Sequence, residues 1–165
     1  MRFHALGRIT FVALVSFVSL AAAGCGDDDD DGGAAVLECD GTCSCDPQTR
    51  TCSCSGGTDC TLVGEGNVTF TCDGNASCGL TCTEDCNIVC PGTTGCVADS
   101  GARARFECQG NASCEFTCHA DCSVHCGGTS ECLVTCEDMD ACDLSDCRGS
   151  TDCGGGVFAC GRDCP

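Results

Sequence analysis

Cysteine is the residue most able to do chemistry in this chain, and its spacing restricts what that chemistry is. The chain has 165 residues and 25 cysteines. The unit Cys-x-Gly-x-x-x-Cys recurs at Cys54–Cys60, Cys72–Cys78, Cys90–Cys96, Cys108–Cys114 and Cys126–Cys132, each copy starting 18 residues after the last. A sixth copy, Cys147–Cys153, arrives three residues late. Thiols at this density either hold soft metals or cross-link the chain. Cys-x-x-Cys, the pair usual in structural zinc sites and dithiol redox centres, occurs nowhere.

Two further groups could bind or catalyse. Glu137, Asp138, Asp140, Asp143 and Asp146 form the densest acidic segment and offer oxygen ligands suited to one weak calcium site. Acidic residues do not recur at fixed places of the repeat, so a repeated oxygen cage is not expected, and the plainer reading is a solvated acidic surface. His119 and His125 flank Cys122 and Cys126. The alternation of the segment points His125 outward, and His119 is expected in a turn, so both read as solvent-exposed rather than metal-bound. No Ser/His/Asp order, phosphate-cradling loop or paired carboxylates on a concave frame is evident, so no enzyme activity and no cofactor are expected.

The elements that position these residues follow from a second pattern. Cys114-Glu-Phe116-Thr-Cys118 and Cys122-Ser-Val124-His-Cys126 alternate, with cysteine and an apolar residue on one side and polar residues on the other. Period two means strand. One coil is therefore a strand, a three-residue turn, a second strand and a five-residue turn. The inward columns are Leu62, Leu80, Ala98, Phe116 and Val134 on one strand, and Phe70, Ile88, Phe106, Val124 and the slipped Leu144 on the other. Self-similarity at a fixed period means stacked coils. The expected fold is all-β: a disulfide-rich parallel β-solenoid with 18-residue coils at residues 54–153. Cys-dense caps are expected at 38–53 and 154–165.

The repeat also suggests how the cysteines pair. Across the five-residue turns the pairs are Cys54–Cys60, Cys72–Cys78, Cys90–Cys96, Cys108–Cys114, Cys126–Cys132 and Cys147–Cys153. Across the short turns they are Cys82–Cys86, Cys118–Cys122 and Cys136–Cys142. Where one short-turn cysteine is missing its partner is missing too: Gly64 stands with Val68, and Ser100 with Ala104. Cys160–Cys164 closes the C-terminal end. Cys39, Cys43, Cys45 and Cys52 supply two more bonds whose pairing stays open. Each small ring contributes on the order of 2 kcal/mol. Eighteen-residue steps also stack Asn67, Asp85, Arg103 and Asp121 at the short turn, which places Arg103 between two aspartates.

The N-terminus indicates where the chain lives. Arg2 and Arg8 precede or border the apolar run Ile9–Leu20, and small residues follow at Ala21–Gly24. Residues 1–24 therefore read as an export signal, too short for a confident membrane span. The stretch Ala22-Ala23-Gly24-Cys25 resembles the lipobox of bacterial lipoproteins. That resemblance implies cleavage before Cys25 and a lipid on its sulfur, and Gly26 at the next position implies the outer membrane. Lipidation also accounts for the odd cysteine. Asp27–Asp31 between glycines makes residues 25–37 a solvated tether.

Charge excludes a partner class. The formal net charge is −18, and lysine is absent. A nucleic-acid footprint needs a basic face, so none is expected. Repeat-in-toxin β-rolls share the 18-residue period, but their Gly-Gly-x-Gly-x-Asp turn is absent. The outward column Val63, Thr81, Asp99, Thr117, Thr135 is broken by Asp99, so a flat threonine array of the ice-binding type is not expected. Asn67-Val-Thr69, Asn75-Ala-Ser77 and Asn111-Ala-Ser113 match the glycosylation sequon and are read as products of the Gly-Asn turn. The expected role is a lipid-anchored cell-envelope protein with a structural, adhesive or surface-display function. Its partners would be the membrane through the anchor, with protein or cation partners at the cell surface. The alternatives are extracellular calcium binding and a thiolate metal buffer.

Overall fold

A computed structural model describes residues 37–165. The export signal, Cys25 and the acidic tether lie almost wholly outside these residues. The described segment is a stack of alternating strands. It opens with β1 (Leu37–Gly41), β2 (Cys43–Asp46) and β3 (Thr51–Cys54). The repeating body comprises β4 (Asp59–Gly64), β5 (Thr69–Cys72), β6 (Ser77–Glu84), β7 (Asn87–Cys90), β8 (Gly95–Ala102) and β9 (Arg105–Cys108). It continues through β10 (Ser113–Ala120), β11 (Cys122–Cys126), β12 (Glu131–Cys136) and β13 (Cys142–Cys147), and ends in β14 (Thr151–Gly154) and β15 (Val157–Cys160). A 3-10 turn at Met139–Ala141 lies between β12 and β13.

From β3 to β14 the even-numbered and odd-numbered strands form separate sheets, and the end strands break the rule, β1 and β15 joining the even-numbered sheet and β2 the odd-numbered one. One sheet has the order β1-β4-β6-β8-β10-β12-β15-β14, the other β13-β11-β9-β7-β5-β3-β2. In the body every neighbour is parallel and in register with the period: Cys60 faces Cys78, Leu80 faces Ala98, Phe116 faces Val134, and Phe70 faces Ile88. This is the β-solenoid expected from the repeat. Of the three extra residues before the sixth copy, two are taken up in the turn ahead of β13, so that Cys122 faces Cys142, and one by a register shift between Ser123 and His125 where β13 joins β11.

The inward columns form the core. Leu62, Leu80, Ala98, Phe116 and Val134 are buried, as are Phe70, Ile88, Phe106 and Val124, while Leu144 is half-buried. Large and small residues offset one another between the sheets: Ala98 lies in the coil that brings in Phe106 from the opposite strand. Phe106 and Phe116 stack with ring centroids 4.5 Å apart. A column absent from the sequence reading adds to this core. Ala76, Thr94, Ala112 and Ser130 close the long turns from inside, and Ser130 Oγ donates to the carbonyls of Gly127 at 2.6 Å and Cys108 at 3.1 Å.

Both turns depend on left-handed backbone. In the long turn Gly110 has φ 75°, and a Cβ there would stand 2.8 Å from the carbonyl oxygen of Gly92 one coil below. Glycine is needed for conformation and for close stacking alike. In the short turn the left-handed residues are Asp85, Arg103 and Asp121, with φ of 53°, 51° and 54°. The strands before them run past the second cysteine to Glu84, Ala102 and Ala120, longer than the five-residue strands expected. The backbone stays extended until the left-handed residue reverses it.

The ends depart from the repeat. β1 pairs antiparallel with β4, and β2 antiparallel with β3. At the other end β15 runs antiparallel to β12, placing Phe158 opposite Val134 and Ala159 opposite Leu133. β14 then pairs only with β15. The sixth Cys-x-Gly-x-x-x-Cys copy therefore adds no parallel rung to the even-numbered sheet. The reason is burial. Thr151-Asp152-Cys153 is polar and cannot cover Val134, whereas Val157-Phe158-Ala159 can, once Gly154, Gly155 and Gly156 turn the chain with φ of 86°, 65° and 81°. Antiparallel strands thus form three of the four sheet edges, whereas the parallel β13 is the remaining edge of the second sheet.

Twelve disulfides join the 24 described cysteines. Five span long turns as expected: Cys54–Cys60, Cys72–Cys78, Cys90–Cys96, Cys108–Cys114 and Cys126–Cys132. Three span short turns: Cys82–Cys86, Cys118–Cys122 and Cys136–Cys142. The N-terminal cap uses Cys39–Cys43 and Cys45–Cys52. The C-terminal expectation is corrected. Cys147 bonds Cys160 and Cys153 bonds Cys164, in place of Cys147–Cys153 and Cys160–Cys164. Parallel pairing sets Cys147 beside Cys126, and the antiparallel return sets Cys160 beside Cys132. The Cys147–Cys160 bond thus continues the long-turn column in space after the sequence unit has ceased to do so.

Candidate functional site

The polar side chains of this fold are organised by the same one-coil translation. On the outer face of the even-numbered sheet, His119 near the end of β10 spans two neighbouring coils. Its Nε2 lies 3.0 Å from Asp99 Oδ1 on β8, and its Nδ1 lies 2.8 Å from Glu137 Oε2 just after β12. The hydrogen bond to Glu137, then that to Asp99, raises the imidazole pKa above 6.5. His119 was expected in a turn. It stands on the strand instead, because β10 continues to Ala120. Asp99, which breaks the threonine column, proves to be the residue that engages it.

A second group lies on the short-turn edge. Arg103 Nε donates to Asp85 Oδ1 at 2.7 Å and its Nη2 to Asp85 Oδ2 at 2.8 Å, while Nη2 also reaches Glu84 Oε2 at 2.7 Å. The guanidinium holds the Asp85 carboxyl below the usual carboxylate range, and the two carboxylates raise the arginine further. Arg103 stacks between Asp85 and Asp121 as expected, and its side chain turns down to Asp85 and Glu84. On the long-turn edge, Thr93 Oγ1 donates to Asn75 and to the Gly74 carbonyl at 3.2 Å. Thr129 repeats this with Asn111 and the Gly110 carbonyl.

The acidic segment does not converge. Glu137 is engaged by His119. Asp138 accepts from the backbone N–H of Asp140 at the 3-10 turn. Asp143 accepts from the Ser145 N–H, which lowers its pKa. Asp146 lies 3.6 Å from Nδ1 of the half-buried His125. These carboxylates serve four separate local tasks. Among the described residues, the sets of three ligand-type side chains that do converge are all cysteine: Cys90, Cys96 and Cys114, and Cys108, Cys126 and Cys132. Each is one disulfide plus a sulfur of its neighbour, so none presents the thiolates that a soft metal takes.

A shallow open groove of about 760 Å³ lies at the C-terminal cap, lined by Glu131, Arg148, Gly149, Thr151, Gly161 and Arg162 among others. Neither histidine lines it.

No family model, curated protein or solved structure matches the chain.

Proposed function

We propose that this chain is a non-enzymatic, lipid-anchored cell-envelope protein with a structural, adhesive or surface-display role. The observation that carries the reading is the complete commitment of the 24 described cysteines to disulfides. Disulfides in such number belong to an oxidising compartment outside the cytosol. They leave Cys25 as the odd sulfur, in the lipobox-like stretch after an apolar signal and before five aspartates. A cross-linked solenoid with an acidic outer surface suits a load-bearing or display element.

The test is the fate of Cys25. The full-length chain is produced in a bacterium that processes lipoproteins and partitioned in a phase-separating detergent, with mass spectrometry of the N-terminal peptide. Acylated Cys25 in the detergent phase, lost in Cys25→Ser, is the expected result. An unmodified Cys25 in the aqueous phase sinks the anchor and with it the envelope role.

A further inference from the structure

Parallel in-register stacking does more than hold the long-turn disulfides in a column. It brings sulfurs of different bonds together in a directional order. The sulfurs of Cys90, Cys96 and Cys114 all lie within 4.8 Å of one another, and so do those of Cys108, Cys126 and Cys132. Cys90–Cys96 is one bond, Cys108–Cys114 the next and Cys126–Cys132 the one after. The middle bond therefore comes within 4.8 Å of its lower neighbour through Cys114 and of its upper neighbour through Cys108. All six cysteines are buried, so a thiol among them has these sulfurs, rather than solvent, as its reaction partners.

We propose that this column is a thiol–disulfide relay, in which a free thiol entering one rung is passed along the stack by internal exchange. Exchange proceeds by attack of a thiolate on a disulfide sulfur with expulsion of the other sulfur. A thiolate at Cys90 attacks Sγ of Cys114. The Cys90–Cys114 bond forms, the Cys108–Cys114 bond breaks, and the electron pair leaves on Cys108. The expelled Cys108 thiolate is the sulfur already against Cys126 and Cys132. It attacks one of them, and the other leaves as the new thiolate. Each step exchanges one S–S bond for another and one thiolate for another, so no external oxidant or reductant is consumed after the first thiol appears. The leaving group of each step is the nucleophile of the next, and this order is set by which sulfur of the middle rung faces which neighbour. The chemical class of the initiating partner is a thiol or dithiol that opens one rung.

Full-length Cys96→Ser supplies the initiating thiol at Cys90 without any added reagent. The variant is held at pH 8, quenched with acid, alkylated, and mapped by mass spectrometry. The relay gives label at Cys108 and at Cys126 or Cys132 as well as Cys90, together with a Cys90–Cys114 cross-link. Label confined to Cys90, with Cys108–Cys114 and Cys126–Cys132 intact, overturns the proposal. Cys108→Ser sets the direction: the thiol at Cys114 should move back to Cys90 or Cys96 and leave Cys126–Cys132 untouched. Label at Cys126 or Cys132 in that variant contradicts the assigned order. Should either variant fail to fold, wild-type chain opened with less than one equivalent of dithiol at pH 8 gives the same readout. Cross-rung bonds support the relay there, and thiols found only as native pairs overturn it.

Discussion

Arg103 and Asp85 stand one coil apart, both in left-handed backbone, with the guanidinium forked onto the carboxylate at 2.7 and 2.8 Å. The stacking that aligns the two Cα atoms also aligns the charges. A left-handed aspartate is common enough, but a left-handed arginine is not. The column therefore accepts some backbone strain at Arg103 where the ion pair forms.

The pair is exposed, so its contribution is small and sensitive to salt. Arg103→Gln should lower the melting temperature slightly in dilute buffer, and the difference should vanish at high ionic strength. Arg103→Asn should lose the same salt-sensitive part and recover stability, because asparagine takes left-handed φ more readily. Thermal melts of the three proteins at two salt concentrations check this.

His119 makes the fold sensitive to mild alkali. Its pKa is raised in the folded state by Glu137 and then Asp99, so the native protein binds that proton more tightly than the unfolded chain does. The stabilisation is fully present below the unfolded value near 6.5 and is lost as pH rises through the folded value. Melting temperature should fall from pH 6 to pH 8.5 in the wild type and lie flatter in His119→Gln. A single-site titration of the His119 ring by NMR should show a midpoint above 6.5 that returns toward the ordinary value in Glu137→Gln.

One of the two coils that lack a short-turn bond can accept one. Ser100 is fully buried, its Oγ makes no hydrogen bond, and Ala104 faces it at the position held by Cys122 one coil above. The double substitution Ser100→Cys with Ala104→Cys should close a thirteenth disulfide and remove a buried hydroxyl. The stabilisation expected is about 2 kcal/mol for so short a ring. Absence of reactive thiol and a higher melting temperature than Ser100→Cys alone are the readouts.

The aromatic stack tests how much the thin core contributes beside the sulfur. Phe106 is buried against Phe116. Phe106→Ala should cost about 3–5 kcal/mol, measured by denaturant unfolding with disulfides intact. Fully reduced wild type should lose its β-sheet signal by circular dichroism, because the remaining apolar area cannot offset the backbone entropy of 18-residue coils.

What could be read from the chain alone was most of what repeats, though not the inner column of Ala76, Thr94, Ala112 and Ser130. Parallel stacking places residue i over residue i+18, so the period itself revealed the strands, the inward columns from Leu62 to Val134, and the bonds across the long and short turns. The caps obeyed no period, and there tertiary packing decided. The need to cover Val134 brought Phe158 and Ala159 back antiparallel, and that carried Cys160 to Cys147 and left Cys153 for Cys164. Contacts between coils were also beyond the sequence, because alignment states which residues are stacked but not which way a side chain leans. Arg103 leaned down to Asp85, His119 bridged Asp99 and Glu137, and Cys114 and Cys108 faced opposite neighbours. Those choices rest on side-chain rotamers and local charge, which only the assembled stack brings together.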